Sequence, residues 1–588
     1  MSIADLLTPP LITAFARLFG GQLSPHQITW QPTRKDFEGH YTFVTFPLTK
    51  QAGKAPQAIA EALGAALQAD CPMVSRYNVV KGFLNIVLED AFWIQHLSSI
   101  QATPDYGQHP HNGQRVMIEY SSPNTNKPLH LGHLRNNFLG FALAQIMEKA
   151  GYAVRKVNLV NDRGIHICKS MLMYQKYGEG ITPEAAQKKG DQLIGDFYVR
   201  FDAENKAQAA QIGCDPNQTP LMEEARALLR AWEDKDPEVY ALWQRLNAWV
   251  LEGHQQTYTD IGVSFEATYL ESDTYLLGKE IVQEGIEKGV FYRREDGSVW
   301  CDLTHDGLDE KLVLRADGTS VYITQDMGTA DLKYADFAMQ KSIYVVGNEQ
   351  DYHFQVLQKL MQKLGRPYAE GIYHLSYGMV ELPSGKMKTR EGTVVDADQL
   401  LEQMIEMARG RTQELGKIED FAPDQVQELY QQLALGALKY YLLRVEPRKK
   451  MLFNPEESID FQGNSGVYLQ YTHAKARAIV RKAEAQGIAY TSEAYAGHPP
   501  LTTTEQDLIR CLGDFPVWVQ EAATTYAPSL IAQYAYDLAR AYSRLWADLP
   551  IFGAAPEATA LRVALSEQSA RVLRLATALL GMQMPERM

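Results

Sequence analysis

Cysteine is scarce in this chain and badly placed for its usual structural roles. Cys71, Cys168, Cys214, Cys301 and Cys511 lie far apart and form no C-x-x-C pair. That spacing argues against a zinc ribbon, and a scattered odd count argues against a disulfide framework. Incidental thiols in a reducing cytoplasm are the expectation. No apolar run approaches the ~18 residues of a membrane span. Nor does Met1-Ser2-Ile3-Ala4-Asp5 begin a basic segment followed by an apolar one. A soluble, cytoplasmic protein with no membrane partner is expected. Low-complexity tracts, internal repeats and coiled-coil heptads are absent too. Positive charge is not in excess either, since the net charge is −14. This does not exclude a nucleic-acid partner, because a local basic face is what attracts phosphate.

What is present is length and alternation. A chain of 588 residues exceeds the about 250–300 residues at which one core stops growing, so roughly two to four domains are expected. Residues 1–112 read as a small α/β unit, with strands at Tyr41–Phe46 and Phe83–Leu88. The turn-rich stretch Pro104–Gly113 reads as a linker. Val116–Ser121 then suits a buried parallel strand, followed by a Pro- and Asn-rich loop and a helix over about 131–150. Val154–Val160 reads as the next strand, completing a βαβ unit. An acidic helical insertion is expected over about 180–253. Alternation resumes at Ser342–Val346 and the helix bearing Val356, Leu357, Leu360, Met361 and Leu364. This predicts a Rossmann-type doubly wound parallel sheet over 113–400. Strand signals vanish after about residue 400, and a helical bundle is predicted over 401–588.

Five segments carry candidate chemistry. The first is Pro123-Asn124-Thr125-Asn126-Lys127-Pro128-Leu129-His130-Leu131-Gly132-His133. Its histidines sit where a strand loop opens a helix, and a helix N-terminus offers unpaired N–H groups to an anion. Gly132 leaves room for close approach of a nucleotide. The second, Gly385-Lys386-Met387-Lys388-Thr389-Arg390-Glu391-Gly392, suits a cationic clamp over a triphosphate, although a solvated turn is the alternative. The third is Tyr322-Ile323-Thr324-Gln325-Asp326, and the fourth Gly347-Asn348-Glu349-Gln350-Asp351 ends a strand, where α/β sheets place ligands. The fifth mixes basic, Tyr and Gln residues over 442–477, as phosphate contact and base stacking require; a charged helix face is the alternative.

The first segment resembles the HIGH motif of class I aminoacyl-tRNA synthetases, and Glu119-Tyr120-Ser121-Ser122-Pro123-Asn124 resembles the arginyl branch. The second resembles the KMSKS loop, with Lys388, Thr389 and Arg390 replacing its serine, second lysine and last serine. The usual catalytic lysine is therefore missing from its place. Lys127, upstream of the histidines, matches the position associated with that gap, while Lys388 and Arg390 remain alternatives. Asp537-Leu538-Ala539-Arg540 resembles the D-A-L-R tetrad of the arginyl family's anticodon-binding bundle, where packing is its expected work.

The resemblance implies a ligase that uses ATP and Mg²⁺ to make arginyl-adenylate from L-arginine, then transfers arginine to the 2′-hydroxyl of the terminal adenosine of tRNA(Arg). It implies catalytic roles for Lys127, His130, His133, Lys386 and Lys388. It implies ATP contacts from Pro123, Leu131, Gly132, Met387 and Arg390. For arginine it implies Glu119 and Asp326 facing the guanidinium, Tyr322 alongside, and Asn124 and Gln350 at the α-amino end. A planar fork of five donors is best met by carboxylates. For tRNA it implies Arg444, Arg448, Lys449, Gln462, Asn464, Tyr468, Tyr471, His473 and Arg477, with residues 1–112 contacting the tRNA elbow. It implies a monomer, and no resident protein-bound metal is expected. Two rivals remain: another class I synthetase, disfavoured by the absence of metal-binding cysteines and large editing insertions, and a tRNA-binding relic without catalysis, disfavoured by intact His130, His133 and Lys386.

Overall fold

A computed structural model describes residues 3–34, 36–178, 180–381, 395–414 and 421–588. At the N-terminal end, β1 (Trp30–Pro32), β2 (Tyr41–Val44), β3 (Val74–Val80) and β4 (Phe83–Leu88) form an antiparallel sheet in the order β1-β2-β4-β3. Two of these strands were not expected. β1 is only three residues long, and β3 (VSRYNVV) carries Arg and Asn on its open face, which hides its alternation. Helices Ile3–Phe19 and Pro56–Asp70 supply the apolar cover, through Leu7, Leu11, Phe15, Ile59, Leu63 and Leu67.

The middle of the chain holds β5 (Arg115–Glu119), β6 (Ala153–Val160) and β7 (Ala267–Leu270). These precede a small antiparallel sheet of β8 (Tyr292–Arg293), β9 (Val299–Cys301) and β10 (Lys311–Leu314), and then β11 (Lys341–Gly347) and β12 (Ile372–Tyr377). The order β12-β11-β5-β6-β7 is parallel throughout. Connections run outward in both directions from β5, so β5 and β11 flank the switch point of a Rossmann-type sheet. Ligands bind beyond the carboxyl ends of such strands.

The helix Leu131–Lys149, which follows β5, carries apolar residues around most of its circumference and exposes none of its residues, so it belongs in a core. Leu134, Phe138, Leu139, Ala142, Leu143, Ile146 and Met147 are all buried. It packs on the sheet and also against helices Pro423–Leu443, Phe515–Thr525 and Pro528–Asp548 of the C-terminal region. One apolar cluster therefore runs from the N-terminal sheet through this central helix into the C-terminal bundle. The opposite face of the sheet has its own cluster around Met327, Val356, Leu360 and Phe291. The expected insertion is a separate helical layer, with Trp232, Trp243, Phe197 and Met171 at its centre.

The expectation that strands end near residue 400 needs correction. β13 (Val380–Glu381) pairs in parallel with β14 (Met451–Leu452). Two residues are too few to give a periodic signal, and the pairing depends on a partner seventy residues away. Leu538 and Ala539 are fully buried while Arg540 is exposed, so the tetrad does pack helices. Among the described residues no helix is long and apolar enough to cross a membrane.

The central helix can lie close to β5 because Gly140 has no side chain: a Cβ there would collide with the Tyr120 ring. Gly140→Ala is expected to cost about 1–3 kcal/mol through overpacking. A lowered thermal midpoint with retained far-ultraviolet circular dichroism checks this.

Candidate active site

The site lies along the carboxyl edge of the parallel sheet. β5 ends in Glu119, Tyr120 and Ser121, and Ser121 adopts a left-handed φ of 60°. Asn136 of the central helix holds that turn: its Oδ1 accepts from the Ser121 N–H (2.6 Å) and its Nδ2 donates to the Val345 carbonyl of β11 (2.6 Å). One side chain thus spans the switch point. Pro123 and Asn124 follow. The Asn161 N–H donates to the Pro123 carbonyl, which fastens this loop to the end of β6.

His130 and His133 open the central helix with ring centroids 3.9 Å apart. The backbone N–H of Gly132 donates to His130 Nδ1, and that of His130 donates to His133 Nδ1, each at 3.1 Å. A neutral ring whose Nδ1 accepts carries its proton on Nε2. Burial and the nearby Lys127 charge lower the His130 pKa to about 4. His133 is also held well below the ordinary histidine value, by burial first and then by His130, Lys127 and His254. The pair is therefore neutral at pH 7, with its Nε2–H donors set beside a helix N-terminus. Leu131 is fully buried beneath them.

Lys127 is placed by its backbone. His254 of the helix Pro237–Ile261 lies with Nε2 3.0 Å from the Lys127 carbonyl. Beside it, a cleft of about 320 Å³ is lined by Lys127, His130, Lys188, Tyr198, Asp396 and Gln399, among others. The insertion thus forms one wall. Lys189 ties that wall down by donating to Asp398 and Thr257, each at 2.6 Å. Asp396 and its neighbours pair with Leu129–Leu131. Lys386, Met387, Lys388 and Arg390 lie outside the described residues.

Glu119 is almost fully buried and ion-paired with Lys333, itself fully buried on the helix Tyr322–Phe337. Burial opposes the lysine charge, but Glu119 outweighs it and the Lys333 pKa is raised. The Glu119 carboxylate therefore already has a cationic partner inside the protein. Asp326, two turns before Lys333, is partly exposed and sits 2.5 Å from His353 Nε2. Tyr322 is 76% exposed, one turn before Asp326. Gln350 is exposed at the end of β11.

Glu271 is the acidic residue that sequence reasoning missed. It follows β7 directly; its carbonyl accepts from the Tyr275 N–H, while its carboxylate makes no hydrogen bond or ion pair with another described residue. Burial raises its pKa to about 7. Arg163 opposes the shift, while the charges of Asp162 and Asp326 add to it. Asp162 itself is spent on Ser272, accepting from its N–H and its hydroxyl. Glu271, which feels the charge of Asp326, thus lies with it at the carboxyl edge as a candidate partner for a cation. The available signal was position, an acid immediately after a strand, but β7 was not recognised.

In the C-terminal region the candidate RNA residues divide. Arg448, Lys449 and Gln462 are exposed, as is Lys450. Arg444 stacks on Tyr441 and donates to the Asn464 carbonyl, while Asn464 Oδ1 accepts from Tyr440. Tyr468 shares a hydrogen bond with Ser543. Tyr471 is half-buried. His473 is buried against the Pro585 carbonyl, and Arg477 pairs with Glu567 and Glu586, each at 2.7 Å. His473 and Arg477 therefore hold the end of the chain onto the bundle in this structure, because the following residues fold back over their helix.

The buried imidazoles have a consequence for acid stability. His254 is lowered by burial from 6.5 to about 4. Below pH 6.5 the unfolded chain takes up a proton that the folded one refuses. The stability advantage of the parent over His254→Asn should be constant above pH 6.5 and shrink as pH falls toward 4, by at most about 1.4 kcal/mol per pH unit. Melting midpoints of both proteins across that range test this.

Comparison with known proteins accords with this geometry. Residues 96–454 match the family described as tRNA synthetases class I (R), catalytic domain. Residues 469–588 match the DALR anticodon binding domain, and residues 6–88 the arginyl tRNA synthetase N terminal domain. The chain is 50% identical to arginine–tRNA ligases of Amoebophilus asiaticus and Bacteroides thetaiotaomicron, covering 100% of both chains in each case. The arginyl-tRNA synthetase of Thermus thermophilus superposes with a TM-score of 0.79 at 25% identity, again over 100% of both chains. Sheet topology, paired histidines and full-length similarity agree that the chain belongs to the class I arginyl-tRNA synthetase family.

Proposed function

We propose that this protein is an arginine–tRNA ligase whose guanidinium site is built on Glu271 and Asp326, with the adenylation site at His130 and His133. The overall reaction converts ATP, L-arginine and tRNA(Arg) to arginyl-tRNA(Arg), AMP and diphosphate. The arginine carboxylate oxygen attacks the α-phosphorus of ATP, the bond to the β-phosphate oxygen breaks, and diphosphate leaves. The 2′-hydroxyl of the terminal adenosine then attacks the adenylate carbonyl and AMP departs.

The observation that carries the arginine assignment is the pair of acids at the ends of β7 and the Tyr322–Phe337 helix. One of them, Glu271, has its pKa raised to about 7 by burial and neighbouring negative charge. A guanidinium between them would relieve that repulsion and meet two carboxylates at once. Tyr322 stands one helical turn from Asp326 to flank the side chain. Asn124 and Gln350, on either side of the switch point, are suited to the α-amino end. Glu119 supports the site from below through Lys333, which keeps a buried positive charge within reach of Asp326.

Phosphoryl chemistry of this kind needs positioning and charge stabilisation more than covalent help. The Nε2–H donors of His130 and His133 would meet the α-phosphate oxygens as negative charge builds on them. Gly132 and Pro123 leave the nucleotide room, and Leu131 braces the turn. Lys127 would neutralise the outer phosphates, with Lys386, Met387, Lys388 and Arg390 assigned to the same nucleotide. Among the described residues no cluster of three or more His, Cys, Asp or Glu could hold a metal. Mg²⁺ would arrive on the triphosphate and be held mainly by phosphate and water, as Mg²⁺ prefers. When bound it would neutralise phosphate charge.

The division into a tRNA-elbow domain (1–112), a catalytic domain (113–400) and an anticodon-binding bundle (401–588), acting as a monomer in the cytoplasm, completes the reading. Arg448, Lys449 and Gln462 are the foremost RNA contacts, since they are exposed. Arg444 and Asn464 shape that loop, and Tyr468 and Tyr471 offer stacking surfaces.

ATP–pyrophosphate exchange against a panel of amino acids, with and without tRNA(Arg), tests the assignment; exchange with another amino acid and not arginine would overturn it. Glu271→Gln and Asp326→Asn should each raise the KM for arginine on the order of 10–100-fold with little change in the KM for ATP. Glu119→Gln should instead lower the melting midpoint, because it strands Lys333. His133→Ala should slow adenylation by about 100-fold or more at unchanged tRNA affinity; equal losses in both would contradict its role.

A further inference from the structure

Arg135 lies two residues beyond His133 on the central helix and is completely buried. Among the described residues its guanidinium meets four backbone carbonyls and no carboxylate. Nη1 donates to Gly378 (2.6 Å) and Lys449 (3.0 Å), and Nη2 to Pro447 (3.2 Å) and Glu446 (3.3 Å). Burial lowers its pKa to about 10. An uncompensated buried cation is an expensive way to fill a core, and a Met or Leu would pack at less cost. What the planar fork adds is geometry, because its donors fix the spacing of the carbonyls they engage.

Those carbonyls belong to two crossing segments. The Gly378 N–H also donates to the Pro447 carbonyl (2.9 Å). A Cβ on Gly378 would meet the Lys449 carbonyl carbon and the Lys450 nitrogen at 2.6 Å, so the two backbones touch. From this crossing they run on together as β13 and β14. One segment leads from β12 toward residue 382. The other presents the exposed run Arg448, Lys449 and Lys450. Arg135 therefore grips, from inside the first turns of the histidine-bearing helix, the backbone of the basic run that faces solvent.

We propose that Arg135 is a positioning residue that couples RNA contact at Arg448–Lys450 to the catalytic histidines. The proposal rests on the reading of that run as an RNA-contacting surface. A polyanion that shifts the Glu446–Lys450 turn moves three of the four carbonyls held by the fork. The helix start and the Gly378 strand respond together, because all are bonded to one rigid group. Coupling of this kind requires a shared element that both sites bias, and the guanidinium is that element. Lysine keeps the charge but cannot span four acceptors in a plane.

The test is a double-mutant cycle on the full chain with Arg135→Lys, Arg448→Ala and the double variant. It reads tRNA(Arg) affinity, the kcat and KM of pyrophosphate exchange with and without tRNA, and the melting midpoint. Arg448→Ala should weaken tRNA binding several-fold; unchanged affinity overturns the RNA-surface reading and the coupling with it. Arg135→Lys should bind tRNA within about threefold of the parent and melt within a few degrees of it. In the parent, tRNA(Arg) should raise exchange kcat, and no rise overturns the coupling; Arg135→Lys should lose most of that rise, and the cycle on kcat should be non-additive by more than about threefold. Additive effects, with Arg448→Ala still weakening binding, overturn the coupling alone. Should Arg135→Lys fail to fold, hydrogen exchange on the parent decides. Adding tRNA(Arg) should alter protection of residues 130–136 and 378–381 together with 446–450. A change confined to 446–450 overturns the proposal.

Discussion

Burial of the helix Leu131–Lys149 on every side is the constraint from which the active site follows. A helix that carries the two histidines at its start, and is locked along its length between a sheet and a bundle, cannot shift without disturbing both. Its first turns also carry several long-range hydrogen bonds. Asn136 ties β5 to β11, Arg135 ties Gly378 to the Glu446–Lys449 turn, and backbone donors orient both imidazoles. Preorganisation here is backbone work, which suits a reaction whose catalysis is positioning.

Electrostatically, the carboxyl edge holds two neighbourhoods of opposite need. At the histidines, burial first and then nearby charge, that of Lys127 included, depress each imidazole pKa, leaving neutral N–H donors beside a lysine, for which a phosphate is the natural complement. At Glu271, burial first and then the charges of Asp162 and Asp326 raise the pKa, so a cation is the complement. The α-phosphate of ATP and the side chain of arginine differ in the same way. Strands β5 and β7, two positions apart in the sheet, carry the two neighbourhoods. The reactive carboxylate of arginine would lie between them.

Lys333 and Glu119 illustrate why a buried acid is not by itself a ligand. An ionised group inside a strand requires a partner, and an amino acid substrate and an internal lysine are both adequate answers. The sequence around Glu119 shows the need but not who meets it. Lys333 lies more than two hundred residues away, on a helix whose inward face is known only after packing.

The sequence alone determined the architecture and the location of the chemistry. The apolar run at Val116–Ser121, the loop bearing His130 and His133, and the long apolar helix after it imply a βαβ unit with an anion site, because period and helix-start chemistry are local properties. Alternation at 342–364 marked the second half of the sheet in the same way. Tertiary structure decided which acids confront each other, which cations already have partners, and how the two halves are joined. It paired Glu119 with Lys333, set Glu271 near Asp326, placed His473 and Arg477 against the end of the chain, and brought Arg135 to carbonyls more than three hundred residues distant. Long-range pairing of single polar groups leaves no periodic trace in a sequence. Only the folded backbone specifies such pairs, because each depends on two segments arriving at one place.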